Sequence, residues 1–240
     1  MDILNVSNLT FNYNNNLENL PILKNLSFNV KSNELVSIVG GSGCGKSTII
    51  KLLASIEKPI QGDIVINSIS YMPQSDTLLP WRTILQNILL PIEIEKGDLI
   101  KEKENALNLL KRFNLLPYAD NYPKELSGGM KQRISLIRTL MNKGELLLLD
   151  EPFSALDAIT REDLQKWLLD SLNSLQKSMI FITHDIDEAI FLSDRILVCN
   201  EKPLSSFKEF KVPKDITFEE TAKLKKEILK SVKGVEDEKI

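Results

Sequence analysis

Residues 35–47, LVSIVGGSGCGKS, decide the fold class of this 240-residue chain. The first five, Leu35 to Val39, are a short continuous run rich in β-branched side chains, which is typical of a strand buried on both faces. The glycine-rich turn after them ends in Lys46 and Ser47 and matches the pattern G-x-x-x-x-G-K-S/T. Such a turn, between a strand and a helix, lets backbone N–H groups surround a polyphosphate. The stretch predicts a phosphate-binding loop, with Lys46 reaching the β- and γ-phosphates and the Ser47 hydroxyl ligating Mg²⁺.

Extended and helical segments alternate along the rest of the chain. Strands are predicted at 3–13, 22–30, 146–149, 179–182 and 196–198, and helices at 46–57, 98–113, 127–142 and 160–175. The last of these helices opens with a near capping box, Thr160 to Asp163. Its apolar face consists of Leu164, Trp167, Leu168, Leu172 and Leu175. Strands and helices that alternate at this spacing predict an α/β fold with a mainly parallel sheet covered on both faces.

Two segments stand outside this alternation. We interpret residues from about 77 to 140 as a helical subdomain inserted into the α/β core. The tail predicts a short amphipathic helix at about 217–232, with Thr217 and Glu220 as a capping box. The asparagine-rich residues 12–19 read as a loop or hairpin tip. No internal repeat is visible, and all 240 residues are predicted to form a single domain.

The composition excludes several classes of protein. Hydrophobic residues make up 42% of the chain and charged residues 26%, the balance of an ordinary globular protein. Thirty Lys and Arg against 33 Asp and Glu leave a net charge of −3. Proteins that bind nucleic acid through its phosphates normally carry a basic surplus, so we expect no nucleic-acid partner.

The sequence favours a cytoplasmic chain. Its two cysteines, Cys44 and Cys199, form no spaced disulfide framework. The first residues lack the basic and apolar regions of a signal peptide, and no stretch reaches the ~18 uninterrupted apolar residues of a membrane helix. We therefore expect a chain that does not cross a membrane itself but is able to dock onto a protein that does.

A second chemical motif is the apolar run Leu146 to Leu149, which ends in Asp150 and Glu151. A pair of carboxylates at the end of a buried strand is costly unless it binds something. In P-loop enzymes this position holds an Asp for the Mg²⁺ shell. The motif therefore predicts Asp150 as a metal ligand and Glu151 as the general base that polarises the attacking water.

The segment LSGGMKQR, residues 126–133, begins a predicted helix with Ser127 as N-cap. Lys131 and Arg133 place positive charge in its first turns, where the helix dipole disfavours it. A bound anion at this end would resolve that conflict. One chain would then carry two phosphate-binding helix termini and one phosphate loop, which indicates a nucleotide shared between two chains.

Gln74 and His184, the only histidine, each follow a predicted strand. The phosphate loop and the Asp150–Glu151 pair also lie just beyond strand ends. Open parallel sheets bind ligands along that edge. We therefore expect these side chains to meet in one site, although a lone His or Gln is more often structural.

Taken in order, these motifs resemble the nucleotide-binding subunit of ATP-binding cassette (ABC) transporters, over about residues 3–211. They are the Walker A motif GGSGCGKST (40–48), the glutamine loop with Gln74, the signature LSGGMKQR (126–133), the Walker B motif LLLLDEP (146–152), the D-loop SALD (154–157) and the switch histidine His184. Many families share the phosphate loop, but its combination with the signature is specific. The resemblance implies a P-loop NTPase core, an N-terminal antiparallel β subdomain and an inserted helical subdomain.

The resemblance also implies a head-to-tail dimer that encloses two ATP molecules, each with Mg²⁺. The Walker A residues of one chain would hold ATP together with Ser127, Gly128 and Gly129 of the other, and Asp157 would bridge the chains. The Walker A residues are Gly40, Gly41, Ser42, Gly43, Cys44, Gly45, Lys46, Ser47 and Thr48.

Four further roles follow from the resemblance. Gln74 would complete the Mg²⁺ shell and connect the site to a membrane subunit. His184 would hold the γ-phosphate and the attacking water, with Lys46 and Glu151 as its catalytic partners. Tyr13 lies where the family has an aromatic residue that stacks on adenine, although an aromatic residue also suits an ordinary strand.

Residues 78–91, 122–133 and 150–165 resemble the nitrate/sulfonate/taurine group of importers, and importers of pyrimidine precursors and riboflavin have similar segments. This implies ATP-driven uptake of a small solute through a separate permease, with a substrate-binding protein as an indirect partner. The subunit would lie at the inner face of the cell membrane. Trp81 would then line the groove for a permease helix, whereas the alternative is a core position.

Two other functions stay open at this point. One is a soluble ABC-type ATPase of DNA repair or translation, and the other is a nucleotide-binding scaffold that is not coupled to transport. The intact set of Lys46, Asp150, Glu151 and His184 argues against the scaffold. An unrelated P-loop kinase or GTPase would leave the signature segment unexplained.

Overall fold

The structure is a computed structural model that describes residues 1–13 and 21–233. Its strands are β1 (Asp2–Phe11), β2 (Leu23–Lys31), β3 (Leu35–Gly40), β4 (Gln61–Ile66), β5 (Ile69–Met72), β6 (Leu146–Asp150), β7 (Ser178–Ile182), β8 (Arg195–Cys199) and β9 (Lys208–Lys211). Its helices are α1 (Lys46–Leu53), α2 (Ile84–Ile94), α3 (Leu99–Arg112), α4 (Gly128–Met141), α5 (Ala158–Leu175), α6 (Ile186–Leu192) and α7 (Phe218–Lys233).

Strand β3 lies inside a six-stranded sheet with the order β5-β6-β7-β3-β8-β9. All neighbours in this sheet are parallel except the antiparallel pair of β8 and β9. The residues from Leu35 to Val39 are all buried, as their continuous apolar run predicts. The predicted α/β fold with a mainly parallel sheet is confirmed.

Strand β6 separates two hydrophobic cores. Leu147 and Leu149 pack with the helices α2 to α5, whereas Leu146 and Leu148 pack with α1 and the N-terminal strands. Successive side chains of a strand point to opposite faces, so a run of four leucines fills both cores. Asp150 is the last residue of this strand, and Glu151 follows it.

A second, three-stranded antiparallel sheet has the order β2-β1-β4. The sequence predicts β1 and β2 but not β4. No residue of β4 is fully buried, so this edge strand lacks the apolar run that marks a buried one. The loop predicted at 12–19 falls mostly outside the described residues.

Between Ile84 and Met141, where every residue is described, the chain forms only helices and turns. Helix α2 begins with a capping box, in which the Thr83 hydroxyl accepts from the Gln86 N–H and the Gln86 side chain accepts from the Thr83 N–H. Its buried face packs with Ala106 and Leu110 of α3 in the helical core.

Several helix ends differ from the sequence predictions. Helix α1 ends at Leu53 rather than at residue 57, because Ser55 takes a left-handed conformation (φ 57°) and the Ile56 N–H donates to Lys51 O. Helix α5 begins at Ala158, and its N-cap is Asp157, whose carboxylate accepts from the Thr160 N–H. The prediction that the helix begins with a near capping box at Thr160 is therefore wrong. Leu175, at the end of the predicted apolar face, is 65% exposed.

The tail packs on the face of the parallel sheet at β3 and β8. The Thr217 hydroxyl accepts from the Glu220 N–H, and the Glu220 carboxylate accepts from the Thr217 N–H, which is the predicted capping box. Ile228 of α7 is fully buried in a small core with Val39, Ile196 and Val198. Within the described ranges, no helix is both long and apolar enough to span a bilayer.

Candidate nucleotide-binding site

The turn between β3 and α1 leaves the first N–H groups of α1 without a side-chain cap. Its N-cap is Gly45, with a left-handed backbone (φ 102°), and Gly43 is left-handed as well (φ 71°). Glycine adopts this conformation without strain. Because the N-cap residue has no side chain, these N–H groups are free to bind an anion at the positive end of the helix. The turn thus fits a polyphosphate.

Lys46 lies against the same turn. Its Nζ donates to the carbonyl oxygens of Gly40 at 2.8 Å and of Gly41 at 2.9 Å. The space beside Gly41 is open, since a Cβ there would meet no atom within 4 Å. The ammonium group is thus held at the mouth of the loop, where phosphate oxygens are able to replace carbonyl oxygens as acceptors.

Ser47 and Asp150 meet at the C-terminal edge of the sheet. The Ser47 hydroxyl donates to the Asp150 carboxylate at 3.4 Å, and Asp150 is only 3% exposed. Burial raises the pKa of Asp150, the nearby Glu151 charge adds to that rise, and the Ser47 hydrogen bond opposes it. A hydroxyl and a carboxylate are the hard oxygen ligands that Mg²⁺ prefers, so the residues present fit that ion.

Glu151 has an unusual backbone. Its φ of 51° is left-handed, which is rare for a residue with a long side chain, and its N–H donates to Ile182 O at 3.1 Å. Strained residues of this kind persist where the surrounding structure holds them, often at functional sites. With this backbone, the Glu151 carboxylate contacts Gln74 and His184.

The Glu151 carboxylate brings two predicted residues together. Gln74 Nε2 donates to its Oε2 at 3.2 Å, and His184 Nδ1 lies 3.7 Å from its Oε1. The Glu151 side chain is 22% exposed, whereas that of His184 is 70% exposed. The gathering of Gln74, Glu151 and His184 at one edge agrees with the expectation drawn from the strand ends.

Cys44 of the phosphate loop contacts the only other cysteine. Both Cys44 and Cys199 are free and buried, and both lie against the backbone of Gly40. The hydrogen bond from Cys199 and the charge of Lys46 lower the pKa of Cys44 to about 6, whereas the same contact and burial raise the pKa of Cys199. The Cys44 sulfur is therefore part of the packing and the charge balance of the loop.

Tyr13 is half-buried and packs edge-on against Phe11, with ring centroids 4.9 Å apart. Both rings belong to the core of the N-terminal strands. Tyr13 lies just beyond the end of β1, so its ring is anchored by strand packing on one side.

The signature residues form a separate group around the N-terminus of α4. The Ser127 hydroxyl accepts from the Met130 N–H at 3.3 Å, as an N-cap does, and the space beside Gly128 is open to 4 Å. A Cβ at Gly129 would lie 2.8 Å from Ala155 O, so the D-loop requires glycine there. Ser127 and Gly128 are both exposed on the surface of their own chain.

Arg133 differs from the sequence interpretation. Its Nη1 donates to Phe113 O at 2.8 Å, at the C-terminal end of α3, where the helix dipole favours a positive charge. Burial lowers the pKa of Arg133, and Asp157 opposes that change. The charge of Arg133 is compensated within the chain and requires no bound anion.

Sequence reasoning missed two residues of the site. Gln132 Nε2 donates to Glu151 O and Ser154 Oγ, while its Oε1 accepts from the Ala155 N–H, so it joins the signature helix to the D-loop. Lys202 donates to Ser42 O at 3.1 Å from the opposite end of the chain. A polar residue on the buried face of α4 was a signal for Gln132, whereas nothing local marked Lys202.

The fold and the residues at the C-terminal edge of its parallel sheet define a P-loop nucleoside triphosphatase. The family described as ABC transporter matches residues 23–154, more than half of the chain. The chain is 41% identical over 218 residues to the formylaminopyrimidine import ATP-binding protein ThiZ of Halalkalibacterium halodurans, covering 90% of this chain and 86% of that one. It is 39% identical to the aliphatic sulfonates import ATP-binding protein SsuB 1 of Shouchella clausii, with 89% and 86% covered.

A solved structure gives the same answer at the level of the fold. The dimeric post-hydrolysis state of the ATP-binding cassette MJ0796, bound to ADP and Pi, is similar with a TM-score of 0.79 and 30% identity, over 88% of this chain and 99% of that one. The chain belongs to the ABC transporter family, as an ATP-binding subunit of the importer group. It is an ATPase.

Proposed function

We propose that the chain drives solute uptake by binding and hydrolysing ATP between two copies of itself. The phosphate loop of one copy and Ser127, Gly128 and Gly129 of the other hold each ATP, and Asp157 bridges the copies. The observation that carries this proposal is that two helix N-termini of one chain present a glycine, at the N-cap of α1 and at the first residue of α4. One follows Gly45, and the other lies beside Gly128, where no atom comes within 4 Å of a Cβ position.

Binding begins at the phosphate loop. Its N–H groups bind the β- and γ-phosphates. The Lys46 ammonium group, which donates to the carbonyls of Gly40 and Gly41 in this structure, turns to the same phosphates. Ser42, Gly43, Cys44 and Thr48 complete the loop. Tyr13 stacks on the adenine from the end of β1.

Mg²⁺, bound with ATP, would neutralise the negative charge that develops on the phosphate oxygens during the reaction. Ser47 and Asp150 would hold it, with Gln74 completing its shell. The raised pKa of Asp150 supports this assignment, because a buried carboxylate next to Glu151 gains most from a nearby cation.

Glu151 acts as the general base in hydrolysis. Its carboxylate takes a proton from the attacking water, and His184, 3.7 Å away in the present structure, holds that water and the γ-phosphate. The hydrogen bond from Gln74 Nε2 keeps the carboxylate oriented before ATP binds. Lys46 stabilises the negative charge of the transition state.

A groove on the helical segment is the proposed contact with a permease. A groove of about 380 Å³ lies between α2, α4 and the chain at the end of β5. Trp81, nearby along the chain, is 71% exposed, and this exposure argues against the alternative that Trp81 is a core residue. The groove is lined by Tyr71, Pro73, Thr77, Leu90, Pro91, Ile94, Glu95, Arg138, Thr139 and Asn142. Gln74 lies next to Pro73, so a helix seated there would contact the segment that reaches Glu151.

The remaining parts of the proposal follow from the family. The subunit lies at the inner face of the cell membrane, and a substrate-binding protein delivers the solute to the permease. The solute is small, in the class of nitrate, sulfonates, taurine or vitamin precursors. Residues 1–240 act as a single ABC ATPase domain with a helical subdomain at about 77–140.

The test is the molar mass in solution of Glu151→Gln with and without ATP. Removing the base should lower the rate of ATP hydrolysis at least ~100-fold while ATP still binds. The closed dimer then accumulates, so the mass should double on addition of ATP. Glu104→Gln, at an exposed position of α3, is the matched control and should hydrolyse ATP normally. A Glu151→Gln variant that hydrolyses ATP at the wild-type rate would remove Glu151 as the base.

A further inference from the structure

The position of His184 depends on its loop, because the side chain has little packing of its own. It is 70% exposed, and its contact with Glu151 at 3.7 Å is longer than a hydrogen bond. The place from which the imidazole projects is therefore set by the backbone on either side of it. Those neighbours are Thr183 and Asp185.

Thr183 closes the loop from inside the protein. It is 2% exposed, and its hydroxyl accepts from the Asp185 N–H at 3.0 Å, so the two peptides that flank His184 are joined. The same hydroxyl donates to the carboxylate of Glu188 on α6. The loop is thereby fixed to a buried acid that lies five residues after Thr183.

Glu188 connects this loop to a different element. The residue is 7% exposed, and its Oε1 accepts from Gln165 Nε2 of α5 at 2.9 Å. Burial raises the pKa of Glu188, and the hydrogen bonds from Thr183 and Gln165 oppose that change. A buried carboxylate is costly unless it is hydrogen-bonded, so these two donors fix where Glu188 lies.

A second link runs along the same helix. Arg161 Nη1 lies 3.6 Å from Asp185 Oδ2, and its Nη2 donates to Leu156 O in the D-loop at 3.0 Å. Both peptides around His184 are therefore connected to α5. The N-cap of α5 is Asp157, which places this helix between the D-loop and the His184 loop.

We infer that Gln165 and Glu188 are positioning residues that fix the His184 loop to α5 and so hold the imidazole beside Glu151. Neither residue lies in the Walker, signature, glutamine-loop or D-loop motifs. The inference rests on the role proposed above for His184. It adds a cis connection through which α5 and the D-loop control that side chain.

The experiment compares steady-state ATP hydrolysis of wild type, Glu188→Ala, Gln165→Ala and His184→Ala over a range of MgATP. For both positioning variants we expect kcat to fall at least fivefold and KM to change less than twofold, because the phosphate loop is untouched. Glu188→Gln should recover most of the loss, since its amide oxygen still accepts from Gln165. Lys166→Ala, on the exposed face of α5, is the matched control and should equal wild type.

A second readout separates positioning from general damage. In the Glu151→Gln background, neither positioning variant should lower the amount of ATP-dependent dimer. The double variant of Gln165 and Glu188 should be no slower than the worse single variant, because both remove one connection. If Glu188→Ala does not fold, Gln165→Ala carries the test alone, since Thr183 still bonds the carboxylate.

Wild-type kcat in both positioning variants overturns the inference. So does a loss of kcat that is matched by an equal loss of folded protein or of dimer. The proposed function fails in a different way, through a wild-type chain that does not hydrolyse ATP or a His184→Ala variant that is as active as wild type.

Discussion

Single residues at the site accept local costs that an ordinary core residue avoids. Glu151 has a left-handed backbone, and Asp150 and Glu188 are buried carboxylates with raised pKa values. Glycine at position 151 would relieve the backbone cost, and neutral side chains at positions 150 and 188 would relieve the cost of burying a charge. Their persistence around one edge of the sheet is the pattern expected of a site under functional constraint.

Glu188→Gln should change how stability depends on pH. The raised pKa of Glu188 means that the folded state binds this proton more tightly than the unfolded state. The wild-type free energy of unfolding should therefore fall, relative to the variant, as pH rises from about 4.3 through the folded pKa. Asp185 strengthens this effect, whereas Arg161, Thr183 and Gln165 oppose it.

Urea denaturation of both proteins from pH 4 to pH 8 measures this difference. The control is Glu104→Gln, an exposed carboxylate on α3, whose curve should run parallel to wild type. Parallel curves for Glu188→Gln and wild type as well would contradict the raised pKa.

The helices around the site differ in how their N-termini are capped. Helix α1 begins at a glycine without a cap, whereas α4 has Ser127 and α5 has Asp157 as side-chain caps. The open terminus of α1 suits an anion held by its own chain. The capped terminus of α4 keeps its shape in the monomer and still exposes Gly128.

Ser127→Arg should prevent dimer closure without weakening ATP binding to the monomer. The long charged side chain would occupy the space beside Gly128, where the proposed dimer places the nucleotide of the second copy. Loss of the cap alone costs only about 1 kcal/mol, so the monomer should remain folded. In the Glu151→Gln background, light scattering with ATP should report a monomer, and the ATP dissociation constant should change less than about twofold.

The matched control is Ser174→Arg, at an exposed position near the C-terminal end of a different helix, α5, about 25 Å along that helix from its N-cap Asp157. This variant should still form the dimer. An undiminished dimer for Ser127→Arg would sink the shared-site proposal.

Helix α7 should contribute to stability through one buried side chain. Ile228 is fully buried in the small core that includes Val39, just before the phosphate loop, whereas its neighbour Leu229 is 38% exposed. Ile228→Ala should lower the free energy of unfolding by about 2–5 kcal/mol, and Leu229→Ala by less than ~1 kcal/mol. Equal losses in urea denaturation would mean that α7 does not pack on the sheet as described.

At the scale of the whole molecule, the site lies where two cores and a sheet edge meet. The phosphate loop follows β3, the acids follow β6 and His184 follows β7, while α1 and α2 to α5 pack on opposite faces. A nucleotide bound at this edge would contact residues at the ends of three neighbouring strands, β3, β6 and β7. A bound nucleotide should therefore stabilise the molecule as one unit.

ATP with Mg²⁺ should raise the melting temperature by an amount that grows with the logarithm of the ATP concentration above the dissociation constant. At 100 times the dissociation constant the gain is about 2.7 kcal/mol, which corresponds to roughly 5–10 °C for a chain of this size. Lys46→Ala should lose most of that shift, because its ammonium group lies at the mouth of the loop. Lys58→Ala, an exposed control, should keep it. An unchanged shift in Lys46→Ala would place the nucleotide elsewhere.

Much of the fold could be predicted from local patterns. The continuous run before Gly40 marked a buried central strand, and the alternation of strands and helices marked the parallel sheet. Segments without such a pattern were missed. Strand β4 has no fully buried residue, and α6 has seven residues, too few to show a helical period. The end of α1 was misplaced because Ser55 takes a left-handed turn.

By itself, the sequence determined the chemical inventory of this protein, because a phosphate loop and strand-end acids are local motifs whose spacing follows from backbone geometry. Only the tertiary structure decided which side chains meet across that edge. Gln132 on Glu151, Lys202 on Ser42 and Glu188 on Gln165 join residues from 19 to 160 positions apart. Such contacts depend on how helices pack on the two faces of the sheet, and no local period of the chain encodes that arrangement.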